Sequence, residues 1–161
     1  MDEILRILER DARTTPDEIA HITGKSTSEV KKTIKKYENS GTIVKYRAII
    51  NKELIKESPK EVKALIEVKI TPQKNVGFDY MAERIYKFPE VESCYLVSGT
   101  YDLLLIVAGK DLHTVANFVA EKLAPMENVR GTSTHFLLKV YKENGDILKH
   151  VEKNKRIPIV L

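Results

Sequence analysis

The feature that most limits how this chain can fold is a run of six consecutive apolar residues, Leu103 to Ala108. A membrane-spanning helix needs about 20 such residues, and the start of the chain is charged where a signal peptide would be apolar. We therefore expect a soluble, cytoplasmic protein without a membrane partner. Because the side chains of a strand point alternately to its two faces, a strand with this sequence is buried on both sides.

Strand-like and helix-like patterns surround this run over residues 62–141. Helical spacing appears in two segments, one ended by Pro89 and the other begun by the capping residue Asp111 and ended by Pro125. The strands are predicted at Val62–Ile70, Val91–Ser98, Tyr101–Ala108 and Val129–Tyr141, and Gly99-Thr100 predicts a two-residue hairpin turn. The order β-α-β-β-α-β is typical of a ferredoxin-like α+β fold.

Two helices cover only one face of such a sheet, which leaves the second face of Leu103–Ala108 without a partner. Apolar faces of several hundred Å² are rare on monomers. A homodimer that packs sheet against sheet explains the pattern. The alternative is that the linker or the C-terminal tail covers this face within one chain.

The first fifty residues predict three short helices. Ile4, Leu5, Leu8 and Ala12 form one stripe on a helix that ends near Arg13. Thr15-Pro16-Asp17-Glu18 and Ser26-Thr27-Ser28-Glu29 each resemble a capping box, and Thr23-Gly24-Lys25 forms the turn between the two helices they begin. Ile19 and Ile22 are predicted to face the core from the second helix, and Val30, Ile34 and Tyr37 from the third. Two capped helices joined by a glycine turn predict a helix-turn-helix, and the β-branched stretch Thr42–Ile50 predicts a wing strand or hairpin arm.

Positive charge concentrates in this region although the net charge of the whole chain is only +4. Residues 25–47 hold seven Lys and Arg against two Glu, which is what the phosphates of double-stranded DNA require. The residues predicted to contact DNA are Ser26, Thr27, Ser28, Lys31, Lys32, Lys35, Lys45 and Arg47. The alternative is that these lysines only form a solvent-exposed helix face, as most runs of lysine do.

The polar segment 51–61 contains Pro59 and predicts a linker. The predicted organisation is a winged helix-turn-helix domain at 1–50, the linker at 51–61, a ferredoxin-like ligand-sensing and dimerisation domain at 62–141, and a basic tail at 142–161. The tail is either a frayed end or a segment in which residues 156–161 add a strand to the edge of a neighbouring sheet.

Both halves resemble the leucine-responsive regulator/AsnC, or feast/famine, family over about residues 2–142. The first half carries Asp11-Ala12-Arg13, Ile19-Ala20, Ser26, Val30, Ile34, Glu38-x-x-Gly41-x-Ile43 and Tyr46-x-Ala48. The second carries Gly99-Thr100-Tyr101-Asp102-Leu103 and Val129-x-x-Thr132-x-Thr134. This resemblance implies a transcription regulator whose dimers, often assembled into octamers, bind pseudo-palindromic sites and sense small molecules, commonly amino acids. Lys25, where the family usually has an apolar residue, and the tail depart from the pattern.

The resemblance places an effector at an interface between dimers. The residues expected near it are Ser98, Gly99, Tyr101, Asp102, Thr132 and Thr134. Gly99 would let a ligand approach the backbone, Asp102 would accept an ammonium group, and the two threonines would donate to a carboxylate. The alternative is that Gly99 only forms the turn and Asp102 only caps it.

Residues suited to catalysis are sparse. The four histidines lie far apart, no phosphate-binding glycine motif occurs, and Cys94 lies in the middle of a predicted strand. We predict no catalytic residues, no cofactor and no metal site. The other classes left open are an enzyme similar to the sirohaem decarboxylases, with His113 or His135 near a tetrapyrrole, and a stand-alone amino-acid sensor with a vestigial DNA-binding half.

Overall fold

The computed structural model describes residues 1–55, 61–72 and 77–148. The chain divides into two compact units, Met1–Ile50 and the residues from Asn51 onward. The predicted 156–161 strand and most of the predicted tail lie outside the described residues.

The N-terminal unit is built from three helices: α1 (Glu3–Arg10), α2 (Pro16–Thr23) and α3 (Thr27–Asn39). Their apolar sides meet in one core, whose buried residues are Ile4, Leu8, Ile19, Ala20 and Val30. Gly24 ends α2 with a φ of 68°, a left-handed conformation that glycine adopts without strain. The predicted helix-turn-helix is confirmed.

Three local predictions in this unit were wrong. The first helix ends at Arg10 because Asp11 is extended, and Ala12 is exposed. In α2 the core residue beside Ile19 is Ala20, whereas Ile22 is 58% exposed. The cap of α3 forms only half a capping box in the described chain: the Ser26 hydroxyl accepts from Glu29 N–H at 3.2 Å, without the reciprocal bond seen in α2.

The wing predicted over Thr42–Ile50 is not a strand in the described structure. A strand is defined by a ladder of hydrogen bonds to a neighbour, and the described residues of this chain provide none for this segment. Its side chains are largely exposed, with Val44 at 91%.

The second unit follows the predicted order. Its elements are β1 (Val62–Ile70), α4 (Asp79–Tyr86), β2 (Val91–Leu96), β3 (Leu103–Gly109), α5 (Leu112–Asn117), which continues as π-helical turns over Phe118–Leu123, and β4 (Val129–Phe136). The four strands form an antiparallel sheet in the order β2-β3-β1-β4. The ferredoxin-like fold is confirmed. Before β1 a short 3-10 turn, Lys52–Leu54, lies within the predicted linker, and Lys52 pairs with Glu61.

The core of this unit lies between the helices and one face of the sheet. Alternate residues of β1 and β3 are buried: Ala64, Ile66, Val68 and Ile70, and Leu103, Leu105 and Val107. From the helices, Met81, Ile85, Val115, Phe118 and Leu123 pack against them. Asp111 caps α5 by accepting from Thr114 N–H at 2.7 Å.

The predicted C-terminal end of the last strand was wrong. The last strand stops at Phe136 instead of Tyr141, because Leu137 N–H already bonds to the Lys63 carbonyl next to the first residue of β1. Beyond that point β1 offers no partner. The chain then forms a small hairpin of β5 (Lys142–Glu143) and β6 (Asp146–Ile147), where the tail was predicted.

Candidate functional site

The third helix presents its cationic side chains away from the core. Val30 is fully buried, and Ile34 packs against the same cluster. On the opposite side of the helix lie exposed polar and basic residues: Ser28, Lys31, Lys32 and Lys35, together with Lys36. Lys36 was not among the predicted contacts, although its place in the basic run would have indicated it.

The first turn of α3 is joined to α2. The Thr27 hydroxyl donates to Asp17 Oδ1 at 2.8 Å, while the Ser26 hydroxyl accepts from Glu29 N–H at 3.2 Å. The Thr27 bond therefore joins α3 to α2, whereas the Ser26 bond is the N-cap of α3 itself. Ser28, the next residue, is exposed and has no such bond in the described chain.

A partly buried hydrogen bond joins the C-terminal half of α3 to the residue that caps α1. Tyr37 Oη donates to Asp2 Oδ2 at 2.6 Å, and Asp2 Oδ1 accepts from Ile4 N–H at 2.8 Å as the N-cap of α1. These two bonds hold the pKa of the Asp2 carboxyl below its ordinary value, and the same carboxylate raises the pKa of Tyr37. The contact spans 35 positions and was not predicted.

The segment after α3 carries the remaining predicted DNA-contact residues. Lys45 and Arg47 are exposed, and between them Tyr46 Oη donates to Glu38 Oε1 at 3.1 Å. Glu38 also lies 3.7 Å from Lys35 Nζ. Such an exposed pair contributes little to stability, so the Lys35 ammonium stays available to a stronger anion.

The loop predicted to hold an effector joins β2 to β3. Val97 N–H donates to the Asp102 carbonyl at 2.9 Å, so the connection is the four residues 98–101 instead of a two-residue turn. Asp102 Oδ2 accepts from Ile70 N–H at 2.7 Å. The Asp102 carboxylate is thus bonded to β1 and not to the 98–101 turn that it was expected to cap under the alternative interpretation, and its second oxygen accepts no hydrogen bond from the described residues.

The register brings this loop and β4 to the same end of the sheet. Val68 of β1 lies opposite Leu103 on one side and Thr132 on the other. Thr132 and Thr134 therefore share the helix-covered side of the sheet with Val68 and Ile66, on the edge strand, and both are half-buried.

Two glycines near this end have open space around them. A Cβ built on Gly99 or on Gly131 would meet no atom of the described chain within 4 Å, and neither residue has the positive φ that favours glycine. Within the described part of one chain, the fold gives no reason for glycine at either position. Ser98 and Gly99 are exposed, and Tyr101 is half-buried.

The face of the sheet opposite the helices is apolar at its centre. Leu104, Ile106 and Ala108 of β3 and Leu65 of β1 lie there half-buried, with Tyr95 of β2 at 50% exposure. Charged groups surround this patch, including the pairs Lys63–Glu92 at 2.6 Å and His135–Glu67 at 3.3 Å.

Two family models match the chain. Residues 3–44 match the winged helix-turn-helix DNA-binding model, and residues 63–147 match the Lrp/AsnC ligand binding domain. The chain belongs to the Lrp/AsnC family. The second match extends five residues past the end of the resemblance at 142, so the β5–β6 hairpin lies within the family domain and not beyond it.

Individual Lrp/AsnC relatives match nearly the whole chain. The HTH-type transcriptional regulator YugG of Bacillus subtilis is 43% identical over 98% of this chain and 94% of its own length. The regulator FL11 of Pyrococcus furiosus is 30% identical over 90% of this chain and 91% of its own length. A regulator of Neisseria meningitidis, solved as its L-Met complex, has a TM-score of 0.68 and 27% identity, with 93% of this chain and 98% of that chain covered. The chain is a DNA-binding transcription regulator of the Lrp/AsnC family, and these findings do not support the decarboxylase alternative.

Other kinds of site are absent where the chain is described. No group of three or more His, Cys, Asp or Glu side chains could hold a metal ion there, and none of the described helices has the length and apolar character to cross a membrane. Burial raises the pKa of the Cys94 thiol, which disfavours the reactive thiolate. His113 and His135 lie on α5 and β4, at exposed positions.

Proposed function

We propose that the chain is a cytoplasmic protein that binds pseudo-palindromic promoter sites as a homodimer or a higher oligomer such as an octamer. We further propose that an amino acid or other small effector modulates this binding. We also propose that the chain acts without enzymatic activity. The single observation that carries the proposal is the exposed cationic side of α3, held on a formed helix-turn-helix by its caps and by the Tyr37–Asp2 bond.

In this proposal α3 enters the major groove and its first turns reach the base edges. Ser28, Lys31 and Lys32 are the side chains suited to this, because readout by a recognition helix concentrates near its N-terminus. Lys35, Lys45 and Arg47 contact phosphates, which adds affinity without sequence information. Ser26 and Thr27 fix the helix, and their N-terminal backbone N–H groups favour a phosphate.

The apolar sheet face supports the dimer. Leu104, Ile106 and Leu65 form its centre, and a second copy of the same face would cover it with a self-complementary surface. Further exposed apolar residues lie in the last part of the DNA-binding unit, including Val44 at 91% and Ile50 at 59%. Exposure of this extent is consistent with burial in an oligomer.

The effector proposal rests on the end of the sheet that carries the loop 98–101. The open space at Gly99 and Gly131 admits a ligand or a neighbouring subunit close to the backbone. Thr132 and Thr134 provide hydroxyl groups from the adjacent edge strand, and Asp102 provides a carboxylate oxygen that accepts no hydrogen bond from residues 1–55, 61–72 or 77–148. Ser98 and Tyr101 complete the proposed set. Solved relatives from Neisseria meningitidis and Mycobacterium tuberculosis are complexes with methionine.

Selection of bound fragments from sheared genomic DNA tests the DNA-binding proposal. The unaltered chain is expected to enrich a small set of fragments that share an inverted repeat. The double variant Lys32→Ala/Lys35→Ala is expected to retain little DNA, whereas the control Lys110→Ala, an exposed lysine of the second unit, behaves as the unaltered chain. Enrichment without a common motif, or equal retention by the double variant, would contradict the proposal.

A further inference from the structure

Glu38 is a carboxylate in a position that is unfavourable for negative charge. It lies in the last turn of α3, where the helix dipole disfavours an anion. It also lies within the basic region 25–47, whose cations are proposed to contact DNA phosphates, and a phosphate repels a carboxylate. The other acidic residue of that region, Glu29, is in the first turn of α3, where the dipole favours it. A contact made by Glu38 must therefore offset both costs.

The Glu38 carboxylate has two partners in the described structure. Its Oε2 lies 3.7 Å from Lys35 Nζ, and its Oε1 accepts from Tyr46 Oη at 3.1 Å. The exposed pair with Lys35 is weak, and a phosphate would compete for the same ammonium group. Partial burial and, second, the bond to Glu38 raise the pKa of Tyr46, so its hydroxyl remains a donor at neutral pH. The Tyr46 bond is the contact of Glu38 that DNA binding leaves in place.

The segment that follows α3, residues 42–50, is joined to that helix at two positions in the described chain. We call this segment the arm. Ile43 N–H donates to the Tyr37 carbonyl at 3.0 Å, and the Ile43 side chain packs against the core of the unit. The second connection is the bond from Tyr46 to Glu38. No described residue forms a hydrogen bond with residues 47–50, so Tyr46 is the last position at which the arm is held.

Lys45 and Arg47, the proposed phosphate contacts of the arm, are the two neighbours of Tyr46 in the chain. Both are exposed. Adjacent Cα atoms are about 3.8 Å apart, so a bond that holds Tyr46 limits where both cations lie relative to α3. Without it the arm would be held only as far as Ile43, and DNA binding would have to order the residues that carry the two cations.

We propose that Tyr46 is a positioning residue for DNA binding: through its bond to Glu38 it holds Lys45 and Arg47 where they contact phosphates beside the groove that α3 enters. The inference rests on the proposed DNA binding by α3 and the arm, and it assigns a role to two residues outside the predicted contact set. Tyr46 and Glu38 act on affinity through the arm cations and not by contact with DNA.

A double-mutant cycle with the full chain tests the positioning role. Affinity is measured by fluorescence anisotropy on a genomic fragment that the unaltered chain selects. Tyr46→Phe removes only the hydroxyl and is expected to weaken binding by about 3- to 10-fold, the range of one hydrogen bond. In the Lys45→Ala/Arg47→Ala background the same substitution is expected to change affinity by less than about twofold, because no arm cation remains to be positioned. An equal loss in both backgrounds would overturn the positioning role.

The salt dependence of binding is a readout that a purely structural role would not move. Lys45→Ala/Arg47→Ala is expected to reduce the slope of log affinity against log salt by about two units, one for each phosphate contact. Tyr46→Phe removes no charge, yet it is expected to reduce the slope in the same direction because the two cations lose their position. A slope for Tyr46→Phe equal to that of the unaltered chain would contradict the proposal.

Two substitutions of Glu38 separate the hydrogen bond from the charge. Glu38→Gln keeps a side-chain oxygen that accepts from Tyr46 and removes the charge that repels phosphates. We expect it to bind DNA at least as tightly as the unaltered chain. Glu38→Ala removes the acceptor together with the charge and is expected to bind at least about threefold more weakly than Glu38→Gln. Equal affinities of these two variants would overturn the role of the bond.

The matched control is Tyr80→Phe, which removes the hydroxyl of a tyrosine on α4 that is 41% exposed. Its affinity and salt slope are expected to equal those of the unaltered chain. All variants are compared at a temperature at which circular dichroism shows them to be folded, so that a loss of affinity does not report unfolding.

The outcomes separate this inference from the proposed function. A loss of affinity in Lys45→Ala/Arg47→Ala, with none in Tyr46→Phe, would overturn the positioning role while DNA binding by the arm stands. Unchanged affinity of Lys45→Ala/Arg47→Ala would overturn the arm contacts and with them this inference, while binding by α3 stands. Failure of the unaltered chain to enrich any genomic fragment would overturn the proposed function itself, and this inference with it.

Discussion

Tyr37 illustrates how a single residue couples stability to pH. Its hydroxyl is the largest cause of the lowered pKa of Asp2, with Ile4 N–H the second. A carboxyl whose pKa is lower in the folded state stabilises that state above its unfolded pKa, and this contribution is lost as the pH falls through the folded pKa. The raised pKa of Tyr37 has the opposite sign: its contribution is present below the ordinary pKa of tyrosine and is lost in alkali.

We expect Tyr37→Phe to raise the pKa of Asp2 towards its ordinary value and to lower the thermal midpoint of the N-terminal unit at neutral pH more than in acid. Carboxyl NMR titration of Asp2 measures the first effect, and thermal unfolding at two pH values measures the second. The control is Tyr46→Phe, which removes a bond to a different carboxylate, Glu38. An Asp2 pKa that is the same in both variants would refute the coupling.

Lys32 is the residue whose removal most directly tests the phosphate and groove contacts. It is exposed on the side of α3 opposite Val30. Lys32→Ala should lower affinity for DNA and, if Lys32 neutralises a phosphate, reduce the slope of log affinity against log salt by about one unit. Fluorescence anisotropy over a salt series measures this, with Lys110→Ala as the control. A slope identical to that of the control would remove Lys32 from the phosphate contacts.

At the scale of elements, α2 contains a matched pair of isoleucines. Ile19 is fully buried in the core of the N-terminal unit, and Ile22, one turn away, is 58% exposed. Ile19→Ala should cost about 2–5 kcal/mol, whereas Ile22→Ala should change stability by less than about 0.5 kcal/mol. Hydrogen exchange of the amides in α2 and α3 measures both. Similar costs for the two substitutions would show that the core is assigned incorrectly.

The same helix shows what the sequence could and could not predict. Caps and glycine turns act over a few residues, so the beginnings of α2, α3 and α5 were predicted from Thr15, Ser26 and Asp111. The choice between Ala20 and Ile22 as the second core residue depends on where α1 lies. That position is a tertiary property, and hydrophobicity alone favoured the wrong residue.

The prediction of strand ends and of contacts in the candidate sites was limited by the same dependence on tertiary structure. The exact span of β1 was predicted because its alternation is local, but β4 ends where β1 ceases to offer partners, at Phe136. The loop 98–101 was proposed as an effector loop from its family motif, and that assignment stays a prediction, while the register around it and the bond between Arg130 and Thr71, 59 positions apart, required the fold. The apolar second face of β3 was predicted because every residue of the run Leu103–Ala108 is apolar, and what covers that face stays a prediction.

For the whole molecule, we propose that a dimer formed through this face brings two copies of α3 to DNA together. Leu104→Lys places a charge at its centre and should convert dimers to monomers, with a large loss of DNA affinity because one half-site forfeits the gain of bivalent binding. Sedimentation equilibrium and anisotropy measure the two effects. Leu138→Lys is the control, because Leu138 is 97% exposed. Dimers that persist in a folded Leu104→Lys variant would contradict the interface.

We propose that a sheet-to-sheet dimer holds two copies of α3 at a fixed spacing on DNA. Hydroxyl-radical footprinting of the unaltered chain on a selected genomic fragment tests it most directly. We expect two protected segments of equal length whose centres are separated by about 10 base pairs or a multiple of that helical turn. A single protected segment, or two segments whose spacing varies between sites without regard to the helical turn, would contradict it.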